Sequence, residues 1–169
     1  MTVFIALLRA VNVGGTGKLP MKDLAALCAD LGFGNVRTYI QSGNVVLSSR
    51  HAERSVQRKL EEALAAKAGK PIDVMVRSAA EMRAVLDHNP FPDAPPARVA
   101  VVFLAHDAPK RLGDDLVIPG GEEVRAAKRE LYIHYPDGMG KSRLRLPAAL
   151  VGTARNINTV GKLAEMAAA

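Results

Sequence analysis

The first 78 residues alternate between strand-like and helix-like spacing of apolar residues, and the order of these patterns limits the fold more than any other feature of the chain. Runs rich in Val, Ile and Leu predict strands, whereas apolar residues three or four positions apart predict amphipathic helices. Pro20 suits the first turn of the first helix, and Gly32 suits its end. The order is β-α-β-β-α-β, which is that of the ferredoxin-like split unit. The predicted strands are 3–13, 37–41, 44–47 and 72–77, with a tight turn at 42–43, and the predicted helices are 20–32 and 53–68.

A proline-rich stretch separates this half from a second half with a similar pattern. Four of the ten prolines fall within residues 89–96, which is typical of a linker. The predicted fold is therefore α+β, with two ferredoxin-like halves in tandem over 1–78 and 98–169 and a helix plus Pro-rich connector over 79–97. No repeat of individual residues is visible between the halves. The predicted elements from the connector onward are a helix over 81–88, a strand over 99–105, a short helix over 109–116, a strand pair over 122–135 and a helical tail from about residue 146.

Composition excludes several classes of protein. The longest apolar run, Val99–Ala105, has seven residues, whereas a membrane helix needs about 20. The run Val3–Leu8 has no basic residue before it, unlike a signal peptide. A single cysteine, Cys28, forbids an intramolecular disulfide and a Cys-rich zinc site. It lies on the apolar face of the first predicted helix, so we expect it to be buried. We expect a cytoplasmic protein with no membrane contact, no metal and no cofactor.

The net charge of +6 is unevenly distributed along the chain. Residues 1–78 carry a balance of +5, residues 79–124 one of −4, and residues 125–162 one of +6. If folding gathers the two basic segments on one face, that face attracts an anionic partner; the alternative is that they are ordinary solvated surface. Catalytic patterns do not select an enzyme, because the four histidines lie far apart and no Gly-x-Ser-x-Gly elbow occurs.

The strongest local motif is the glycine-rich turn after the first predicted strand, Gly14-Gly15-Thr16-Gly17-Lys18. Glycines allow successive N–H groups to point at an anion near the positive end of the following helix, and Lys18 adds a cation. The turn is not a Walker A loop, because Asn12 stands where that pattern has its first glycine and Leu19 where it has Ser or Thr. Anion binding and a flexible strand-to-helix connection are both open.

Polar side chains crowd the segment just before the last predicted helix. One of them, Thr153 or Asn156, can cap that helix by accepting a backbone N–H. A cap needs one such residue, and the excess of donors suits an anionic or polar ligand. We predict that this segment lies beside Gly14–Lys18, so that the two form one anion-attracting cleft. The candidate residues in the segment are Arg155, Asn156, Asn158 and Thr159.

The predicted hairpin turn supplies a third polar cluster. Ser42 and Gly43 are explained by the turn itself, whereas Gln41 and Asn44 stand out in a chain rich in Ala and Leu. Gln41, Ser42 and Asn44 are therefore further candidates.

Together these motifs resemble the bacterial domain-of-unknown-function family 1697. The resemblance rests on ALLRAVNVGG with Lys18 and Pro20-Met21, on VRTYIQSGNVV, on VRSAAEMRAV with Asn89-Pro90-Phe91, and on TARNINTVGKL. The family's glycine-rich turn is usually GGKNK, whereas this chain has GGTGK, and Ile157 stands where the family usually has Trp. The resemblance implies a compact α+β protein made of two similar ferredoxin-like halves and implies no established activity. The polar positions that it adds as candidates or supports are Arg9, Asn12, Lys18, Gln41, Ser42, Asn44, Arg77, Arg155, Asn156, Asn158 and Thr159.

These observations favour binding of a small anionic ligand, a nucleotide or a phosphorylated metabolite, in a cleft between the two halves. Lys18 and Arg155 would neutralise charge, and the amides of Gly14, Gly15 and Gly17 would hold phosphate oxygens. One alternative is a nucleic-acid-binding protein with a basic face, although the third strand lacks the aromatic residues on which RNA-recognition domains stack bases. The other alternative is an enzyme of unidentified class that uses the same cleft.

Overall fold

The fold is mixed α+β, with two four-stranded antiparallel sheets. A computed structural model of the chain describes residues 1–9, 19–40, 43–109, 118, 120–146 and 152–168, and four α-helices lie within those ranges. None of these four is both long enough and apolar enough to cross a membrane. The strands are β1 (Thr2–Leu8), β2 (Gly34–Thr38), β3 (Asn44–Ser49), β4 (Val74–Ser78), β5 (Val99–Phe103), β6 (Glu123–Ala126), β7 (Glu130–His134) and β8 (Thr153–Asn156). The helices are α1 (Met21–Asp30), α2 (Glu53–Ala68), α3 (Ala79–Asp87) and α4 (Ile157–Ala168).

The first sheet has the strand order β2-β3-β1-β4, and every neighbouring pair is antiparallel. Its core combines alternate strand residues with Leu24 and Cys28 of α1 and with Leu60 and Leu64 of α2, all fully buried. Residues four positions apart share one face of a helix, which is why these side chains meet the sheet together. The burial predicted for Cys28 is confirmed. Helix α2 has its predicted bounds and ends at Gly69, whose φ of +72° stops the helix.

The second sheet has the strand order β6-β7-β5-β8 and is also antiparallel throughout. The strand pair predicted over 122–135 is confirmed as β6 and β7. In both sheets the first strand of the set lies between the third and the fourth. The core on one face of this sheet consists of Val102, Leu104, Val124, Leu131 and Ile133.

The chain divides into two compact units whose boundaries fall inside helices. The first unit comprises Met1–Arg83 with Leu163–Ala169, and the second comprises Ala84–Lys162. Helix α3 therefore begins in the first unit and ends in the second, whereas α4 begins in the second and ends in the first.

In each unit, a side chain of the sheet hydrogen bonds to a backbone carbonyl near the C-terminal end of one of these helices. Within the first unit, Arg37 Nη1 donates to the Met166 carbonyl of α4 at 2.7 Å. Within the second unit, the Tyr132 hydroxyl donates to the Val85 carbonyl of α3 at 2.6 Å. Each unit thus includes, and hydrogen bonds to, the end of a helix that started in the other.

Within the described residues, most predicted elements agree with the observed ones to within two residues at each end, and two differ by more. Strand β2 ends at Thr38 and not at residue 41, because Ile40 has a φ of +51°, which breaks the extended backbone. The predicted helical tail is wrong at 153–156, since these residues form β8 and pair with β5. The helical pattern itself is confirmed from Ile157 onward. Residues 10–13, 110–116 and 147–151 of other predicted elements lie outside the described residues.

Candidate functional site

Half of the fourteen predicted site residues lie in the described part of the chain. Since Lys18 is not among them, the predicted proximity of Gly14–Lys18 to Arg155–Thr159 stays a prediction. The described candidates are Arg9, Asn44 and Arg77 in the first unit and Arg155, Asn156, Asn158 and Thr159 in the second. Those outside the described residues are Asn12, Gly14, Gly15, Gly17, Lys18, Gln41 and Ser42.

Arg9 is an accessible cation directly after β1. Its amide donates to the Asp73 carbonyl at 3.0 Å, and its Nη1 lies 3.5 Å from Asp73 Oδ2. The two side chains are 40% and 57% exposed, so solvent screens this ion pair and its contribution is small. The Arg9 guanidinium can therefore exchange this partner for a ligand.

Asn44 is buried and joins the two strands of the hairpin. Its Nδ2 donates to the Tyr39 carbonyl at 2.9 Å, and the Tyr39 amide donates to the Asn44 carbonyl at 3.0 Å. The Asn44 side chain is fully buried, so these bonds fix the path of the chain into the turn. This contact accounts for an amide side chain at this position without a ligand.

Arg77 is a buried cation immediately before the start of a helix. It lies in β4, is 1% exposed, and donates from Nη1 to the Val76 carbonyl at 2.9 Å. The next residue, Ser78, caps α3: the Glu81 amide donates to Ser78 Oγ at 3.1 Å, and the Ser78 amide donates to Glu81 Oε1 at 2.9 Å. This reciprocal pair is a capping box, which satisfies amides that the helix cannot satisfy itself.

At the junction of β8 and α4 a buried arginine again directly precedes the residue that caps the helix. Arg155 is 7% exposed and donates from Nη1 to Thr153 Oγ1 at 2.6 Å and to the Ala154 carbonyl at 2.9 Å. Burial lowers the pKa of Arg155 to about 10, because the charged form loses its hydration. The Thr159 amide donates to Asn156 Oδ1 at 2.9 Å. The prediction that Asn156 can cap the last helix is therefore confirmed.

Strand register places the two buried arginines at equivalent positions. Arg77 lies opposite Ile5 of β1, and Arg155 lies opposite Val101 of β5. Directly opposed residues of antiparallel strands project to the same face of a sheet. Each of these pairs belongs to a row of directly opposed residues that crosses all four strands of its sheet. The residue at the other end of each row is a second arginine. The two rows are Arg37, Val46, Ile5, Arg77 and Arg125, Tyr132, Val101, Arg155.

The polar candidates at the β8–α4 junction differ in how accessible they are to a ligand. The buried guanidinium of Arg155 bonds within its own strand, so its charge is not presented at the surface. The Asn156 side chain is used by the helix amide. Of the four C-terminal candidates, Asn158 is the exposed one.

A small cleft in the second unit, with a volume of about 130 Å³, was not predicted from the sequence. Glu122 holds its walls together: the Ser142 hydroxyl donates to Glu122 Oε1 at 2.8 Å, and the Gly120 amide donates to Oε2 at 3.1 Å. These bonds, that from Ser142 above all, hold the pKa of the Glu122 carboxyl below its usual range. The signal in the sequence is Gly138-Met139-Gly140-Lys141-Ser142, which is not a P-loop because Tyr135 stands where that motif has its first glycine.

The described part of the chain has no cluster of metal-ligating residues and no reactive thiol. No three His, Cys, Asp or Glu residues there are placed to hold a metal ion together. Burial raises the pKa of the Cys28 thiol to about 12, so it stays protonated at neutral pH and is a poor nucleophile.

A family model described as a protein of unknown function, DUF1697, matches residues 1–132. The chain belongs to the DUF1697 family. The match ends within β7, so it includes Arg9, Asn44 and Arg77 but not the segment 153–159.

The fold of this DUF1697 chain is similar to the solved structure of a conserved bacterial protein from Streptococcus pneumoniae. The TM-score is 0.77 and the sequence identity 22%, and the similarity covers 98% of each chain. At this identity the likeness concerns the fold. No curated protein matches the chain significantly. The comparisons thus establish a family and an architecture, and the function of that family is unknown.

Proposed function

We propose that this DUF1697 protein binds a small anionic ligand, a nucleotide or a phosphorylated metabolite, at the glycine-rich segment between β1 and α1. The observation that carries the proposal is the open start of α1. Pro20 occupies the N-cap position and makes no side-chain hydrogen bond to the helix, so no N-cap side chain competes with a ligand there. The first N–H groups of a helix have no partner within it, and the helix dipole makes them attract negative charge.

The residues around this helix start supply the rest of the recognition. Arg9 follows β1 with a solvent-exposed guanidinium, and Lys18 comes shortly before α1 in the sequence. In the proposal these two cations neutralise the ligand, because charge-assisted hydrogen bonds are the stronger ones. The amides of Gly14, Gly15 and Gly17 bind phosphate oxygens.

The other candidates take different roles in the proposal. Arg155 fixes the β8–α4 junction and does not touch the ligand, because it is buried and hydrogen-bonded within its strand. Asn158 is exposed and stays a candidate contact. Gln41 and Ser42 stay candidates through the family resemblance.

At the level of the fold, we propose two ferredoxin-like halves over 1–78 and 98–169, joined by 79–97, in a bacterial cytoplasmic protein. The support for the fold is the common strand order, with the first strand of each set between the third and the fourth. The support for the compartment is the single thiol, Cys28, since proteins of oxidising compartments commonly carry disulfides.

A thermal-shift panel with ADP, glucose 6-phosphate and a short single-stranded RNA tests the anion site. A ligand at 100 times its Kd stabilises the folded state by about 2.7 kcal/mol. We expect Lys18→Ala to weaken binding by about 1.5–3 kcal/mol, which is the contribution of one hydrogen bond to a charged group. The matched control is Lys67→Ala, which removes an exposed lysine from the last turn of α2 and should leave affinity unchanged.

The outcomes separate the candidate functions. A shift with ADP or glucose 6-phosphate that Lys18→Ala diminishes supports the proposal. A shift with RNA alone favours the nucleic-acid alternative. No shift with any probe, or equal affinity of Lys18→Ala and the wild type, refutes the proposal.

A further inference from the structure

The cleft in the second unit has room for a small molecule. It lies between the loop that carries Glu122 and the loop 135–143, and its volume is about 130 Å³. Typical small-molecule pockets have volumes of about 300–1,000 Å³, so this cleft is a small one. A ligand of this size has only a few non-hydrogen atoms.

Hydrogen bonds hold the cleft in shape before any ligand is bound. The Ser142 hydroxyl donates to Glu122 Oε1 at 2.8 Å, which ties one loop to the other. Within the longer loop, the Gly138 amide donates to the Tyr135 carbonyl at 3.0 Å, and the Ser142 amide donates to the Met139 carbonyl at 3.2 Å. Such preorganisation reduces the entropy that a ligand loses on binding.

Charges of both signs line this cleft. Asp137, Lys141 and Arg143 are all exposed, and none forms an ion pair with any residue in the described ranges. The Tyr135 side chain also lines the cleft, and burial together with the Glu122 carboxylate raises its pKa. The Tyr135 hydroxyl is therefore a neutral hydrogen-bond donor at pH 7.

We propose that this cleft is a second binding site and that it takes a small zwitterion, a free α-amino acid with a short side chain. Lys141 and Arg143 bind the carboxylate, and the ammonium group lies against Asp137 and Glu122. A phosphate would face two carboxylates, and a metal ion or a simple amine would face two cations. A ligand with both charges complements both pairs, and an α-amino acid carries them within the few atoms that the cleft admits.

An NMR titration of the full-length protein, labelled with ¹⁵N, tests this site with L-alanine as the probe. We expect the backbone amides of 120–122 and 135–143 to shift on addition of alanine. Propionate and ethylamine have nearly the same size but keep only one of the two charges. We expect each to bind about tenfold more weakly or worse, because one set of charge-assisted hydrogen bonds is lost. Inorganic phosphate is the fourth probe and should not shift these amides.

Two variants test which charged side chains of the cleft bind alanine, and two further variants serve as controls. Asp137→Asn and Arg143→Ala should each weaken alanine binding about tenfold or more. Arg145→Ala removes an exposed arginine that does not line the cleft, and it should bind alanine like the wild type. Lys18→Ala should also bind alanine normally, so failure of the anion site at residues 14–18 leaves this result intact.

The proposal is overturned if alanine shifts none of these amides at millimolar concentration. It is equally overturned if propionate binds as well as alanine, if phosphate shifts the same amides, or if Arg145→Ala weakens binding as much as Arg143→Ala does. Alanine binding that depends on Asp137 and Arg143 and not on Arg145 supports it.

Discussion

Replacing Arg155 by alanine or by methionine separates the packing of this side chain from its charge. The side chain is 7% exposed, and its Nη1 bonds to Thr153 Oγ1 and to the Ala154 carbonyl. For an exposed arginine, substitution by alanine typically changes the free energy of unfolding by no more than about 0.5 kcal/mol. Burial removes that condition, so a larger effect follows.

The magnitude follows from burial and from the pKa. Arg155→Ala deletes a long buried side chain and leaves two acceptors without this donor, which costs about 2–4 kcal/mol of unfolding free energy. The fall in the Arg155 pKa from 12.5 to about 10 corresponds to about 3 kcal/mol by which burial disfavours the charged form. Arg155→Met loses the same two hydrogen bonds but keeps most of the packed volume, and it removes that buried charge. We therefore expect Arg155→Met to change stability by no more than about 1 kcal/mol.

Urea denaturation followed by circular dichroism measures both changes, with Arg145→Ala as a control for loss of an exposed arginine. We expect the control to stay within about 0.5 kcal/mol of the wild type. If Arg155→Met is as destabilising as Arg155→Ala, the charge and its hydrogen bonds stabilise the fold more than packing does. That result would refute the assignment of the loss to packing.

Further predictions concern three positions, Gly152, Cys28 and Tyr132. Gly152→Ala should destabilise the protein by about 1–3 kcal/mol in urea denaturation, because a Cβ at Gly152 would clash with the Phe103 carbonyl oxygen. An unchanged midpoint would contradict this close approach. Native Cys28 should react with a thiol reagent far more slowly than the urea-unfolded chain, and labelling at the same rate would show the thiol to be accessible. Burial raises the pKa of Cys28 from 9.0 to about 12. The stability that the protonated thiol contributes is therefore complete below pH 9 and is lost as the pH rises toward 12. In thermal melts, the fall in Tm over this pH range should be smaller for Cys28→Ala than for the wild type. Tyr132→Phe should cost about 1–3 kcal/mol in urea denaturation, since the buried Val85 carbonyl loses its donor, and a neutral effect would mean that this bond adds nothing to stability.

Local patterns predicted the elements whose own residues determine them. Helix α2 has its predicted bounds because Val56, Leu60 and Leu64 recur at four-residue spacing and Gly69 stops the helix. Strand β8 could not be predicted in this way, because Thr153–Asn156 contains one β-branched residue and two polar ones, Arg155 and Asn156. Its extended form is set by pairing with β5, which is distant in sequence.

The predictions about the candidate site were also correct where neighbouring residues determine the structure and incomplete where distant strands do. The capping role of Asn156 follows from residue type and position, and it was predicted correctly. The burial of Arg155 depends on a sheet formed by strands that are distant in sequence, so residue type alone suggested a cation that binds a ligand. The equivalence of Arg77 and Arg155 was hidden as well, because loops of different length separate the strands of each row and only the register aligns them.

The assignment of the last helix to both units bears on how the protein forms on the ribosome. The first unit includes residues 163–168, among which Leu163 is fully buried and Met166 accepts a hydrogen bond from Arg37. A nascent chain that has released its first 83 residues still lacks these partners. The amino-terminal unit is therefore completed only after residues 163–168 have also left the exit tunnel. Until then Arg37 Nη1 lacks the Met166 carbonyl as its acceptor, and a chain truncated in α4 before Met166 never gains it.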